Sequence, residues 1–251
     1  MHHATSVLAT TATWLIAAIA ETVHLTGDST MVATGNNDGT EGWGAFLPNY
    51  TSLAVSNEAI AGQSARSFTR EGRFAAVVAT IKQGDYVVIE FGHNDGGSLS
   101  PTDNGRTDCN PNDAAGYAAT CQTTYNGVSE TVLTYYAYLV NAAKLFQSKG
   151  ASVIISSATP DNVWEGGSYS YSPSRFVAYA RDAATDSGST FVDHQNYTAA
   201  LYKDLGYATV NAFYPHDHTH TSPAGANVVA NAFILGLNAT DSTMKKYITQ
   251  D

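Results

Sequence analysis

At 251 residues the chain is long enough for one domain with a substantial core, and a second domain is not required. Charged residues make up 14% and hydrophobic ones 43%, which argues against an intrinsically disordered chain. The net charge of −10 sets aside nucleic acid and an anionic membrane surface as partners, while an acidic polysaccharide met by a few local cations stays open.

The first twenty residues carry no Asp, Glu, Lys or Arg, and the apolar run from Trp14 to Ala20 ends in a small-x-small pattern before Glu21. This predicts a secretory signal over residues 1–20, cleaved after Ala20, with a single soluble domain over 21–251. The run is too short and threonine-rich for a membrane span. In a secreted chain Cys109 and Cys121, within a loop rich in Asn, Asp, Pro and Gly, are expected to pair. A bridge closing a loop of that size stabilises by about 3 kcal/mol in the chain-entropy model. Asn49, Asn196 and Asn238 stand in Asn-x-Ser/Thr triplets and are glycosylation candidates.

Val23 to Thr26 predicts a short apolar strand ending in the turn that carries Ser29. Gly35 to Gly42 resembles a calcium loop only in composition; its acidic spacing is wrong, so a surface loop is expected. Trp43 to Leu47 predicts a short amphipathic helix, and Ser52 to Asn57 a second strand. A turn through Gly62 leads into a helix closed by Ile81, with Phe74, Val77 and Val78 as its apolar set. Ser64 is expected to cap that helix. Tyr86 to Phe91 is a near-continuous apolar run, the mark of a buried strand. Residues 98–127 should form an ordered excursion over the strand ends.

Ser129 is expected to cap a helix reaching Lys149, with Val132, Tyr136, Leu139, Ala143 and Phe146 at helical spacing and Gly150 as its stop. Ala151 to Ser156 predicts a strand, Pro173 to Ser187 a helix, Thr190 to Asp193 a strand and Tyr197 to Leu205 a helix. Ser222-Pro223 marks the start of a last helix that runs to Leu237. Strands alternating with helices imply βαβ units and an α/β domain whose parallel sheet is covered on both faces.

In such a sheet the polar clusters Gly27-Asp28-Ser29, Ala61-Gly62 and Gly92-His93-Asn94-Asp95 fall along one edge. Acyl transfer needs a hydroxyl, an imidazole to take its proton and a carboxylate to fix the imidazole tautomer. Ser29 offers the hydroxyl. Asp217 and His220, three apart on one turn, offer the other two. The Ser29 and Gly62 N–H groups and the Asn94 amide are placed to meet a developing oxyanion. Asp28 is expected to bond loop backbone, and His93 and Asp95 to hold the loop that presents Asn94. Arg66 and Arg70 suit either a uronate carboxylate or a structural role.

These blocks resemble those of the SGNH (GDSL) hydrolases: Gly27-Asp28-Ser29-Thr30, Gly62, Gly92-His93-Asn94-Asp95 and Asp217-His218-Thr219-His220, in that order. Within the superfamily the chain is most similar to fungal rhamnogalacturonan acetylesterases, including Gly42-Trp43-Gly44, Ser64 to Ser67 and Asp217 to Ala226. The resemblance implies a flavodoxin-like three-layer α/β/α fold with about five strands. It also implies a secreted serine esterase that removes acetyl groups from rhamnogalacturonan I. Ser29 is then the nucleophile, His220 the base and Asp217 its orienting acid, with Ser29, Gly62 and Asn94 as the oxyanion hole. The implied partner is an acetylated pectic polysaccharide; no cofactor or metal is called for, and a monomer is expected.

Other readings remain open on sequence. The same chemistry suits acetylxylan or small acetyl esters. Alternating His216, His218 and His220 beside Asp217 tempt a metal-dependent hydrolase, although a catalytic zinc site usually draws ligands from elsewhere as well. A carbohydrate-binding module without turnover is the non-enzymatic alternative.

Overall fold

The computed structural model describes residues 21–35 and 38–249; the expected signal segment over 1–20 lies outside them. Five strands form the central sheet: β1 (Thr22–Gly27), β2 (Ala54–Asn57), β3 (Tyr86–Phe91), β6 (Ser152–Ser157) and β7 (Thr190–Val192), the missing numbers being a hairpin, β4 (Thr120–Tyr125) and β5 (Val128–Leu133). Their spatial order is β2-β1-β3-β6-β7 and every pairing is parallel. Counted within the sheet this is 2-1-3-4-5, the flavodoxin-like order, whose topological switch point lies between β1 and β3.

Among the described residues the helices are α1 (Ala65–Arg70), α2 (Arg73–Val78), α3 (Tyr135–Gln147), α4 (Arg175–Ser187), α5 (His194–Leu205), α6 (Tyr207–Asn211) and α7 (Pro223–Asn238). Alternation along β3 sorts the core into two halves. Val87, Ile89 and Phe91 pack with Phe68, Phe74, Leu139, Phe146 and Ala183 from α1 to α4. Tyr86 and Val88 face the other way, among Trp43, Tyr202, Phe233 and Leu237. Glu90 shares that second face yet is buried, because it is fully engaged. It accepts from Trp43 Nε1 at 2.8 Å and Ser156 Oγ at 2.6 Å, and lies 2.8 Å from His194 Nδ1.

Several boundaries differ from the sequence expectation. The helix expected to be capped by Ser129 begins five residues later, capped by Thr134, whose side chain accepts from Ala137 N. Ser129 instead lies in β5, paired antiparallel with β4 through the two-residue turn Asn126-Gly127, both at positive φ. The single helix expected to end at Ile81 is broken by Gly72, left-handed at φ 71°. Trp43 to Asn49 forms two short 3-10 turns rather than an amphipathic helix. The helix expected from Tyr197 starts at His194, with Asp193 as its cap. Ser64 and Ser222 cap their helices as expected, Ser64 within a reciprocal capping box with Ser67.

Cys109 and Cys121 are bonded. Their segment, with the β4–β5 hairpin, is clamped onto α1 by Arg66, which is fully buried. Its guanidinium makes bidentate pairs with Asp103 (2.9 and 2.7 Å) and Glu130 (3.0 and 2.7 Å) and donates to Thr107 O at 2.8 Å. Burial opposes the charge, but these carboxylates outweigh it and raise the Arg66 pKa. Arg66 is thus structural.

Candidate active site

Ser29 follows β1 at the switch point. A side chain at Gly27 would sit 2.7 Å from Glu90 O and 2.8 Å from Met31 Sδ, so the strand can leave the sheet only through glycine. Asp28 then shapes the turn: its Oδ1 accepts from Thr30 N at 2.9 Å and Thr30 Oγ1 at 2.8 Å. That leaves Ser29 half-buried with its hydroxyl facing the loop before α7.

That loop supplies the partners. His220 Nε2 stands 2.8 Å from Ser29 Oγ, and His220 Nδ1 stands 2.7 Å from Asp217 Oδ2. A carboxylate can only accept from Nδ1, so Nδ1 carries the hydrogen and Nε2 is the acceptor facing the serine hydroxyl. The other oxygen of Asp217 accepts from Thr219 N and His220 N, each at 2.7 Å. Partial burial works against ionising Asp217, but these donors from His220 and Thr219 outweigh it and hold its pKa at about 2.

The loop is itself tied down. Thr219 Oγ1 donates to Asp161 Oδ1 at 2.7 Å, Asn162 N donates to His218 O at 2.7 Å, and Ser222 caps α7. His216 turns to Asp38 O at 2.6 Å and His218 to Glu165 at 3.2 Å. The three histidines therefore diverge. Among the described residues no group of three His, Cys, Asp or Glu side chains converges as a metal set.

Gly62 and Asn94 lie beyond the ends of β2 and β3. Gly62 holds φ 76°, which favours glycine over any other residue. Asn94 is oriented from both ends of its amide: Nδ2 donates to Gln63 O at 3.0 Å, and Oδ1 accepts from Arg106 Nη1 at 3.0 Å. One Asn94 N–H is thereby spent on the residue next to Gly62, and the second is left for another acceptor. His93 Nε2 lies 3.1 Å from Thr159 Oγ1, so His93 is tied to the segment after β6.

Asp95 accepts from Ala65 N at 2.8 Å, joining the Asn94 turn to the start of α1. Its carboxyl also hydrogen-bonds that of Asp108. Both are buried, and Asp95 Oδ2 and both Asp108 oxygens meet no protein donor among the described residues. Two acceptors bond each other only through a proton, so the pair holds one. Burial is the main cause, and it pushes Asp95 up to about 7 and Asp108 well above the usual carboxylate range.

Beside the loop that carries Asp217 and His220 opens a cavity of about 440 Å³, lined by His93, Thr159, Asp161, Tyr171, Ser174 and Phe176 among others. It adjoins that loop through the Asp161–Thr219 bond. Arg106 and Asp108, bonded to Asn94 and Asp95 in the turn after β3, do not stand out in the sequence. Their only signal there is a charged side chain on each side of Thr107, next to the first cysteine. Asn49 and Asn196 are exposed, and Asn238 is half-buried at the end of α7.

A family model described as GDSL-like Lipase/Acylhydrolase matches residues 23–233. The rhamnogalacturonan acetylesterase of Emericella nidulans is 52% identical, over 98% of this chain and 96% of its own. In fold, the crystal structure of the YxiM protein from Bacillus subtilis matches with a TM-score of 0.68 and 23% identity, covering 88% of this chain. This chain spans 56% of that protein's crystallised length. Axe2, an acetylxylan esterase from Geobacillus stearothermophilus, matches with a TM-score of 0.54 and 20% identity over 86% of this chain and 94% of its own. The family match runs from the strand that presents Ser29 into the last helix, so the chain belongs to the GDSL-like lipase/acylhydrolase (SGNH) family and is a carboxylic ester hydrolase.

Proposed function

We propose that the chain is a secreted serine esterase that removes acetyl groups from the rhamnogalacturonan I backbone of pectin through an acetyl-serine intermediate. The observation that carries the substrate is the 52% identity, across nearly the full length of both chains, to a protein named rhamnogalacturonan acetylesterase. The unbroken chain of hydrogen bonds from Asp217 through His220 to Ser29 supports the mechanism.

In this mechanism Ser29 Oγ attacks the acetyl carbonyl carbon while His220 Nε2 takes the hydroxyl proton. The carbonyl oxygen becomes an oxyanion held by Ser29 N–H, Gly62 N–H and the remaining Asn94 amide hydrogen. Collapse breaks the bond to the sugar oxygen, which takes the proton back from His220. Water, deprotonated by the same nitrogen, then attacks the acetyl-serine; the bond to Ser29 Oγ breaks, Oγ takes the proton back from His220, and acetate leaves. Each oxyanion donor removed from such a site costs roughly 10²–10³ in kcat.

Secretion rests on the uncharged, apolar segment before Glu21 and on the Cys109–Cys121 bond. Cleavage after Ala20 leaves Glu21 as the first residue, where its carboxylate accepts from Tyr247 Oη. The exposed Asn49 and Asn196 are then available to glycosylation.

The test is acetate release from a panel of acetylated rhamnogalacturonan, acetylated xylan and an aryl acetate. Acetylated rhamnogalacturonan is expected to give the highest kcat/KM, and Ser29→Ala to abolish release from all three. Faster release from xylan would move the substrate, and full activity of Ser29→Ala would overturn the mechanism.

A further inference from the structure

Among the described residues, Arg106 is the cation of the disulfide-bearing insertion that meets no carboxylate. Arg66 is matched by Asp103 and Glu130; Arg70, Arg73 and Arg181 each lie within ion-pair distance of a carboxylate. Arg106 faces none among the described residues. Its guanidinium makes a single hydrogen bond there, from Nη1 to Asn94 Oδ1 at 3.0 Å. A guanidinium carries five N–H donors in a planar fork, so four are uncommitted.

Its place is fixed, not floppy. Asn104 Oδ1 accepts from Arg106 N at 2.8 Å and Thr107 N at 3.1 Å, and Thr107 Oγ1 donates to Gly96 O at 3.0 Å. Gly105 is pressed against Tyr125, whose ring would lie 2.3 Å from any Cβ there, and Arg70 donates to Gly105 O. The fork that results stands over the oxyanion edge. Nη1 is one hydrogen bond from Asn94 and 3.9 Å from where a Cβ of Gly62 would be.

We propose that Arg106 is a specificity residue of this esterase, binding a carboxylate carried by the same sugar unit as the acetyl ester, or by its neighbour, through its uncommitted N–H donors. The proposal rests on the acetylesterase reading and adds to it the residue that would meet the uronate of that backbone. A half-buried, unpaired guanidinium beside the ester carbonyl is the local cation that an anionic polysaccharide needs on a protein of net charge −10. Arg suits the task because its planar fork matches a carboxylate in two parallel hydrogen bonds. Arg66 and Arg70, the two arginines that the sequence offered for this role, are committed inside the insertion.

The test compares kcat/KM for two small esters that differ in one group: an acetylated methyl galacturonide and the acetylated methyl galactoside with CH2OH in place of the carboxylate. Wild type is expected to favour the uronate by about 10- to 100-fold, the worth of a charge-assisted hydrogen bond, and added salt should shrink that preference. Arg106→Gln should bring the ratio close to one, and Arg106→Lys should retain part of it. The Arg106–Asn94 bond and the folding of the loop affect both esters alike, so they cancel in the ratio. A ratio unchanged in Arg106→Gln, or a wild type that treats the two esters alike or cleaves neither, overturns the proposal. Failure of the acetylesterase reading shows elsewhere, as wild type releasing no acetate from acetylated rhamnogalacturonan.

Discussion

Asp217 decides what His220 can do. By accepting from Nδ1 at 2.7 Å it leaves Nε2 bare toward Ser29, and an amide in its place can offer a donor to that nitrogen and stabilise the wrong tautomer. Asp217→Asn is therefore expected to keep the fold and lose roughly 10⁴ in kcat. Retention of more than a tenth of the activity would show that the loop alone orients the ring. The pH profile follows from the same contacts. Protonating His220 removes the acceptor for the Ser29 proton, so kcat/KM falls as pH is lowered. Asp217, held at about 2, stays ionised through that fall. The acid limb should then have unit slope in log(kcat/KM) against pH. A slope of two would mean that Asp217 takes up its proton in the same range.

Among the elements, the insertion between β3 and α3 shows where the sequence was readable and where it was not. Its cysteine pair and its position over the strand ends were legible, because paired cysteines in a polar loop have few other uses. Its hairpin was not. Val132, Tyr136, Leu139, Ala143 and Phe146 keep a helical spacing through the boundary, and Val132 is buried from either structure, so periodicity could not show that the helix starts at Tyr135. Asn126-Gly127 between two β-branched runs was the competing signal. Arg66 is what fastens this element to the domain. Arg66→Met strips two carboxylates of their partner, and removing one side of a buried ion pair costs about 3–5 kcal/mol. Urea unfolding should show that loss; a change under 1 kcal/mol would show that the disulfide and hairpin hold the insertion by themselves.

Over the whole molecule, the alternation of strands and helices was accessible from sequence because it rests on local patterns, apolar runs and caps, while the flavodoxin-like order came from the family resemblance. What escaped was pairing across the chain. Glu90 with His194 and Asp95 with Asp108 are buried polar pairs whose meaning lies in a partner far away or in another loop. The second pair links the Asn94 turn after β3 to the insertion, and it sets a pH dependence for folding. Asp28 nearby raises Asp95 further, while Arg66 and Arg175 pull Asp108 down, yet burial prevails in both. Unfolded, these carboxyls release their protons near 3.8; folded, Asp95 keeps its proton up to about 7, and burial holds the Asp108 proton more tightly as well. Between those values the native state binds more protons than the unfolded chain, so this contribution to stability is fully present below 3.8 and is lost as pH rises through 7. One proton contributes a slope of at most about 1.4 kcal/mol per pH unit. In Asp108→Asn an amide hydrogen takes the place of the shared proton, and stability relative to wild type should improve steadily as pH is raised from 4.5 to 7.5. Urea midpoints of the two proteins across that range isolate the pair, since the histidines are common to both. Parallel curves would mean that the two carboxyls share no proton in the folded state.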